Sequence, residues 1–246
     1  MFVKICGITN EDDALLAVAL GADAIGFVFA PSVRQVAVQK VYDITRRIPP
    51  EILTVGVFRD EHPKRVIELV QSSGVKAAQL HGHESPADVA AVAQHVRTVI
   101  KAVSAGTVDA TRAKDFETTM IRADAPEPGS GAVFDWKMAA ELPEGLHLIL
   151  AGGLTPENVA SGISIVRPWG VDVSSGVESV PGRKDPILMK RFIENAREAT
   201  PKEYLESQLK SIQTFQTEIL TDKEFMASLT TGDGSTISTY AQKTNV

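Results

Sequence analysis

The sequence predicts an α/β fold, a parallel eight-stranded (β/α)8 TIM barrel that spans residues 1–200. Short apolar runs alternate with amphipathic helical patterns along this stretch, and short Gly-rich links join them, which is typical of parallel βαβ units. The length of 246 residues also suits one such barrel. A doubly wound open sheet is disfavoured because no Gly-x-Gly-x-x-Gly motif follows the first strand.

Apolar runs predict the strands at residues 2–6, 24–29, 53–58, 77–81, 98–103, 119–123, 146–151 and 170–173. Helical patterns occur at residues 11–20, 38–48, 63–72, 86–95, 136–142, 156–165 and 185–199. The segment 105–117 has a poor apolar period, so we expect a short or distorted helix there. The Gly-Ser-Gly run at 129–131 lies in a longer loop, where active-site covers and mobile insertions are common.

The character of the sequence changes after residue 200. Residues 201–225 carry apolar side chains at helical spacing within a polar segment, and residues 230–246 are rich in Ser, Thr and Gly. We therefore expect 201–246 to be a C-terminal extension, helical or partly disordered, packed on the outside of the barrel. A role in dimerisation or in docking a partner is the alternative.

Composition limits the possible partners. A formal net charge of −6 argues against nucleic acid and anionic membranes as partners. The sequence has no signal-peptide pattern and no apolar run of about 18 residues, so no membrane segment is expected. Cys6 is the only cysteine, which excludes an intramolecular disulfide and indicates a cytoplasmic protein. The histidines show no metal-ligand spacing, and we expect no metal or cofactor and a monomer or homodimer.

Residues at the ends of the first and last strands carry candidate chemistry. Alternation along the strand turns Lys4 and Cys6 into the barrel, with Cys6 at the catalytic end. Cys6 is either an inert core residue or a thiolate base. Alternation also turns Asp172 inward, and because strands one and eight are neighbours in a closed barrel, Lys4 should lie beside it. That pair could be structural or part of the substrate site.

The loops after strands seven and eight predict a phosphate site. Glycines allow the backbone to approach an anion closely, and exposed amides and serine hydroxyls donate hydrogen bonds to it. Barrels commonly bind phosphate in these two loops. The candidate residues are Gly152, Gly153, Ser174, Ser175 and Gly176.

Polar residues elsewhere on the same rim complete the candidate site. Arg34 follows strand two and could clamp a carboxylate in a bidentate manner. Gln79 and His81 share one face at the top of strand four and are candidates for substrate binding. Two aspartates compete as general acid: Asp124 ends strand six, whereas Asp135 stands before a helical run and is typical of an N-cap.

Seven motifs in order resemble those of the phosphoribosylanthranilate isomerase family of tryptophan biosynthesis. They lie within about residues 2–198, at 4–10, 26–29, 55–58, 79–82, 134–136, 151–154 and 172–178. The resemblance implies a cofactor-free Amadori rearrangement of a small phosphoribosyl substrate, with Cys6 as general base and Asp124 as general acid. It also implies that Arg34 holds the anthranilate carboxylate, and that Gly153, Ser174 and Ser175 hold the phosphate.

Some residues depart from the family pattern. Val33 replaces a proline or basic residue, Ala132 replaces a lysine, and the extension after residue 200 has no counterpart. Arg122 stands at a position that is usually apolar and shares a face with Asp124, so it should weaken that acid unless another carboxylate takes it up.

Two other functions remain as alternatives. The related barrel isomerase of histidine biosynthesis, or a dual-substrate form, resembles this chain but has an aspartate at the position of Cys6. A non-catalytic phosphosugar-binding barrel would keep the phosphate loops without needing Cys6 and Asp124.

Overall fold

The computed structural model contains a closed eight-stranded parallel barrel in the order β1 to β8, with β8 paired to β1. It describes residues 1–116, 118, 120–124, 136–140, 142–143, 145–200, 210 and 212–214. The predicted (β/α)8 barrel is therefore confirmed. Within the described residues, no helix is both long and apolar enough to cross a membrane.

The barrel strands are β1 (Phe2–Ile5), β2 (Ala24–Val28), β3 (Leu53–Phe58), β4 (Ala77–Leu80), β5 (Thr98–Ser104), β6 (Met120–Asp124), β7 (His147–Leu150) and β8 (Gly170–Val173). The helices are α1 (Glu11–Ala19), α2 (Val38–Thr45), α3 (Pro63–Ser73), α4 (Pro86–Ala93), α5 (Val108–Thr111), α6 (Lys137–Ala140), α7 (Val159–Val166) and α8 (Pro186–Glu198). Two 3-10 turns lie at Ala113–Phe116 and Ser175–Val177, and a small hairpin is formed by β9 (Glu178–Val180) and β10 (Arg183–Lys184).

The described residues of the segment with the weak apolar period, 105–116, form a single helical turn, α5, followed by a 3-10 turn, as expected. The predicted start of the seventh helix at residue 156 is wrong, because α7 begins at Val159. The Asn158 side chain explains the difference. It accepts from the backbone N–H of Thr155 at 2.8 Å and donates to the Gly153 carbonyl at 2.9 Å, which holds a turn before the helix.

The floor of the barrel, at the N-terminal ends of the strands, is an apolar layer. Its members are Phe2, Ala24, Leu53, Val55, Ala77, Ile100, Met120, Ile149, Trp169 and Ile212. Ile212 belongs to the extension, of which residues 210 and 212–214 are described and helical, and it is only 6% exposed. This part of the extension thus contributes to the apolar layer that closes the barrel at the N-terminal ends of its strands.

Candidate active site

The C-terminal ends of the strands surround a cavity of about 470 Å³. Its size suits a small organic ligand, for which pockets of roughly 300–1,000 Å³ are common. Cys6 and Asp124 line this cavity together with the four candidate substrate-binding residues and the five candidate phosphate-binding residues. The barrel therefore brings together the Cys6 thiol, the Asp124 carboxyl group, the Arg34 guanidinium and both candidate phosphate loops.

Cys6 follows β1 directly, and its backbone N–H donates to the Val173 carbonyl at 2.8 Å. The residue is 7% exposed and lines the cavity. A Cβ atom placed on Gly26 would lie 2.7 Å from the Cys6 sulfur and 3.2 Å from Lys4 Nζ. Because Gly26 has no side chain, the Cys6 thiol and the Lys4 ammonium group can lie side by side next to this residue of β2.

Asp124 is the last residue of β6 and has two charged or polar partners on one oxygen. Its Oδ2 accepts from Arg122 Nη1 at 2.6 Å and lies 3.0 Å from His81 Nε2. The Nε of Arg122 donates to Asp172 Oδ2 at 2.6 Å, so one guanidinium bridges two carboxylates across the barrel. From the sequence, Arg122 was expected to weaken Asp124 as an acid unless another carboxylate bound the guanidinium. Asp172 does bind it, but the contact between Arg122 and Asp124 remains.

This arrangement changes the pKa values of Asp124, His81 and Asp172. Burial alone would raise the pKa of Asp124, but Arg122 and the hydrogen bond from His81 outweigh it and hold that pKa well below the usual range. Burial, with Arg122 second, lowers the pKa of His81, so the imidazole is neutral at pH 7. Burial also opposes ionisation of Asp172, yet Lys4 and Arg122 hold its pKa below normal. Both carboxylates are therefore ionised at neutral pH.

Lys4 and Asp172 form the predicted pair. They are paired residues in the β1–β8 register, and Lys4 Nζ donates to Asp172 Oδ2 at 2.9 Å with neither side chain exposed. Gln79 and Asp172 line the cavity, and one buried oxygen of each, Gln79 Oε1 and Asp172 Oδ1, has no hydrogen-bond partner among the residues that the structure describes. Buried polar atoms are normally satisfied, so these two are available to a ligand that donates hydrogen bonds.

Arg34 lies on the cavity rim and contacts a carboxylate of the protein itself. Its Nε and Nη2 donate to the two oxygens of Glu178 at 2.7 and 2.8 Å, and Lys184 Nζ donates to the same carboxylate at 3.0 Å. The bond to Glu178 raises the pKa of Arg34, so its charge is permanent. Gly7 allows this placement, since it has a φ of 74° and a Cβ atom there would lie 2.6 Å from Arg34 Cδ.

Glu178 and Lys184 were not identified as site residues from the sequence. Glu178 appeared only as the last residue of a motif, and its role depends on the fold-back of β9 and β10 toward the rim. The residues next to Lys184 in the sequence do not mark it as a site residue, because its burial depends on the fold of the hairpin. Burial lowers the pKa of Lys184, although Glu178 opposes this effect.

The two candidate phosphate loops lie on the same wall of the cavity. Gly152 and Gly153 have φ values of 82° and 66°, a conformation that favours glycine. A Cβ atom on Gly176 would lie 1.9 Å from the Leu154 carbonyl oxygen, so the second loop passes directly against the first. Ser175 begins the 3-10 turn there, and Ser174 precedes it as the N-cap residue.

A buried ion pair fixes the loop that follows His81. Lys101 Nζ donates to Glu84 at 2.7 Å and to the Gly82 carbonyl at 2.7 Å, and both charged side chains are almost fully buried. Glu84 also accepts from the backbone N–H groups of Gly82 and Asp60. The loops after β3 and β4 are thereby tied together, which holds the backbone next to His81.

Asp135, Ala132 and the loop at 129–131 lie outside the described residues. In the part of the chain that is described, no group of three or more His, Cys, Asp or Glu side chains could hold a metal ion.

Residues 3–195 match the family model of N-(5'-phosphoribosyl)anthranilate (PRA) isomerase. The chain is 45% identical to the N-(5'-phosphoribosyl)anthranilate isomerase of Desulforudis audaxviator, over 80% of this chain and 98% of the relative. It is 43% identical to that of Thermotoga maritima, over 79% and 98%. The crystal structure of phosphoribosyl anthranilate isomerase from Thermus thermophilus matches with a TM-score of 0.76 and 38% identity, over 80% and 99%. A phosphoribosyl anthranilate isomerase in complex with reduced 1-(o-carboxyphenylamino)-1-deoxyribulose 5-phosphate matches with a TM-score of 0.71 and 41% identity, over 80% and 99%.

Proposed function

The chain belongs to the N-(5'-phosphoribosyl)anthranilate isomerase family, and we propose that Cys6 and Asp124 carry out its isomerisation chemistry. It is an enzyme of tryptophan biosynthesis. The reaction converts N-(5-phosphoribosyl)anthranilate to 1-(2-carboxyphenylamino)-1-deoxyribulose 5-phosphate by an Amadori rearrangement. Its steps are proton transfers, so the site needs one acid and one base in fixed positions.

Asp124 acts first, as the general acid, and it does so in its protonated form, whereas in the site without substrate its low pKa keeps the carboxyl group ionised. Its carboxyl proton passes to the furanose ring oxygen, the bond from C1 to that oxygen breaks, and the nitrogen lone pair forms an iminium. The Cys6 thiolate then takes the proton from C2, and the C–H electrons form the C1–C2 double bond of an enolamine. That intermediate gains a proton at C1 and loses the enol proton, which gives the ketone.

Other residues of the cavity hold the substrate. Arg34 binds the anthranilate carboxylate. Two nitrogens of its guanidinium donate to Glu178, and the third, Nη1, donates to the substrate. Gly153, Ser174 and Ser175, with Gly152 and Gly176 beside them, hold the phosphate. The unpartnered oxygens of Gln79 and Asp172 accept from ribose hydroxyl groups or from the amine. His81 positions the Asp124 carboxyl group through its Nε2.

One observation carries the proposal. A single cavity contains a thiol at the end of β1, a carboxyl group at the end of β6 and two adjoining glycine- and serine-containing loops. A phosphosugar held by those loops would place its sugar between the thiol and the carboxyl group. A cavity that only bound phosphosugars would have no need of this acid–base pair.

We propose that the enzyme works in the cytoplasm, since its one cysteine suits a reducing compartment. For its assembly we propose a monomer or a homodimer. A relative from Thermotoga maritima that is 40% identical is described as a dimeric phosphoribosylanthranilate isomerase from which monomers were generated.

The test is an assay of the purified full chain with phosphoribosylanthranilate and, separately, with the aminoaldose of histidine biosynthesis. We expect turnover of the anthranilate compound, with kcat/KM well above that for the histidine-pathway compound. Cys6→Ala serves as the control for contaminating activity, since it should lose turnover. Turnover of the histidine-pathway compound alone would overturn the proposal.

A further inference from the structure

Arg34 is held by a carboxylate to which the reaction described above gives no role. Its Nε and Nη2 donate to the two oxygens of Glu178, and the Lys184 ammonium group donates to the same carboxylate at 3.0 Å. The side chain of Glu178 is 5% exposed and that of Lys184 is not exposed, whereas the Arg34 side chain is 21% exposed. The carboxylate is therefore part of the wall of the site, and the guanidinium on the rim is bound to it.

Glu178 is fixed in place by contacts of its own hairpin. Thr9 Oγ1 donates to the Gly182 carbonyl at 2.6 Å, which joins the hairpin to the loop after β1. The backbone N–H of Lys184 donates to Asp13 Oδ2 at 2.9 Å, which joins it to α1. Burial would raise the pKa of Glu178, but its two cationic partners outweigh this effect and hold that pKa below its usual range. Glu178 is therefore an ionised group in a fixed position.

Arg34 also lies beside the proposed phosphate site. A Cβ atom on Gly7 would lie 2.6 Å from Arg34 Cδ and 2.7 Å from Ser174 Oγ, so the arginine side chain and the serine hydroxyl flank the same glycine. Guanidinium groups bind carboxylates and phosphates in the same bidentate manner, and at neutral pH a phosphate carries more negative charge than a carboxylate. A freely rotating Arg34 would therefore be drawn to the phosphate of the substrate.

We propose that Glu178 is a positioning residue that determines the specificity of Arg34, because it keeps the guanidinium directed at the aryl carboxylate of the substrate and away from the phosphate. This inference rests on the proposed function, which assigns the anthranilate carboxylate to Arg34 and the phosphate to the loop of Ser174. With Nε and Nη2 bound to Glu178, Nη1 is the nitrogen that remains for the substrate. The substrate is therefore bound in one orientation, with its carboxylate on the rim and its phosphate in the loops.

The test uses the two halves of the ligand separately, namely inorganic phosphate and the reduced product analogue from which the phosphate has been removed. Calorimetry measures the Kd of this dephosphorylated analogue with and without saturating phosphate, and no turnover is needed. In wild type, phosphate should change this Kd by less than about twofold, because the two ligands use different groups. In Glu178→Gln, the released Arg34 turns to the phosphate, so saturating phosphate should raise the Kd of the analogue roughly fivefold or more.

Two controls separate this role from a merely structural one, which would weaken binding without making the two ligands compete. Adding Arg34→Ala to Glu178→Gln should abolish the competition, because the shared guanidinium is gone. Glu157→Gln makes the same change at an exposed ion pair with Arg191 and should behave as wild type. Independent binding in Glu178→Gln would overturn the inference, as would equal competition in wild type. Competition that persists without Arg34 would assign the effect to Lys184 and overturn it as well.

A second variant keeps the test valid if Glu178→Gln does not fold. That change leaves the buried Lys184 without its carboxylate partner, and the double variant with Lys184→Met removes both buried charges. Arg34 is released from Glu178 in the double variant too, so the same competition is expected, and its absence would overturn the inference. If the competition appears as expected but wild type does not turn over phosphoribosylanthranilate, the proposed function fails and the anion selectivity of Arg34 stands.

Discussion

Lys4 Nζ lies 2.9 Å from Asp172 Oδ2, and neither side chain is exposed to solvent. The pair joins β1 to β8 at the seam that closes the barrel. Such a pair adds little net stability compared with apolar residues, but the loss of Lys4 leaves two buried carboxylates, Asp124 and Asp172, that share the single charge of Arg122.

We therefore expect Lys4→Met to lower the free energy of unfolding by about 3 kcal/mol, measured by urea denaturation at pH 7. The double variant with Asp172→Asn is the control and should recover part of the loss, because the remaining carboxylate is removed. A Lys4→Met protein as stable as wild type would show that Arg122 alone satisfies Asp172.

Cys6→Ala should lower kcat by roughly 100-fold or more, because the base that takes the C2 proton is lost. The thiol is small and lies beside Gly26, so its removal leaves little empty space and folding should be retained. Steady-state kinetics with a thermal unfolding curve checks both points. Near wild-type kcat in a folded Cys6→Ala protein would mean that Cys6 only fills the core.

Arg34→Ala should raise KM by roughly tenfold or more and leave kcat less affected, because a charge-assisted contact to the anthranilate carboxylate is lost. Lys184 still pairs with Glu178 in this variant, so that carboxylate is not left alone at the rim. Binding of the reduced product analogue and of inorganic phosphate, compared by calorimetry, separates the two subsites. A loss confined to phosphate binding would mean that Arg34 belongs to the phosphate site.

Strand and helix positions were largely predictable, because the helical period of apolar residues and their alternation along a strand can be read from neighbouring residues in the chain. The same alternation placed Lys4, Cys6 and Asp172 inside the barrel and correctly paired Lys4 with Asp172. The start of α7 was mispredicted because the Asn158 side chain bonds the Gly153 loop, a contact that no pattern of apolar residues encodes.

Two parts of the site depend on contacts between distant residues and were not predictable. Glu178 meets Arg34 only because a short hairpin folds back toward the rim. The sequence showed that Arg122 would face Asp124, but the second bond to Asp172 crosses from β6 to β8. Both contacts join residues more than 40 positions apart in the chain, at separations of 144 and 50.

The C-terminal extension was predicted to pack on the outside of the barrel or to be disordered, and its described residue Ile212 lies in the apolar floor layer. Ile212→Ala should therefore lower the free energy of unfolding by about 2 kcal/mol. Lys210→Ala, at an exposed position of the same segment, is the matched control and should have little effect. Equal stabilities for the two variants, measured by urea denaturation, would contradict this packing.

Deletion of residues 201–246 should leave kcat largely unchanged, because the catalytic rim lies at the opposite end of the barrel from Ile212. The shortened chain should unfold at a lower temperature for the same reason as Ile212→Ala. A truncated protein that is both insoluble and inactive would show that the extension covers more apolar surface than Ile212 alone accounts for.

The central claim is that Asp124, and not Asp135, is the general acid. Asp124 lies at the end of β6, where Arg122 and His81 both contact its Oδ2 atom. The most direct measurement is kcat for Asp124→Asn and Asp135→Asn, two isosteric changes, with folding checked by circular dichroism. We predict that Asp124→Asn loses kcat by roughly 100-fold or more, whereas Asp135→Asn keeps most of its turnover. An inactive Asp135→Asn beside a normally active Asp124→Asn would contradict the account.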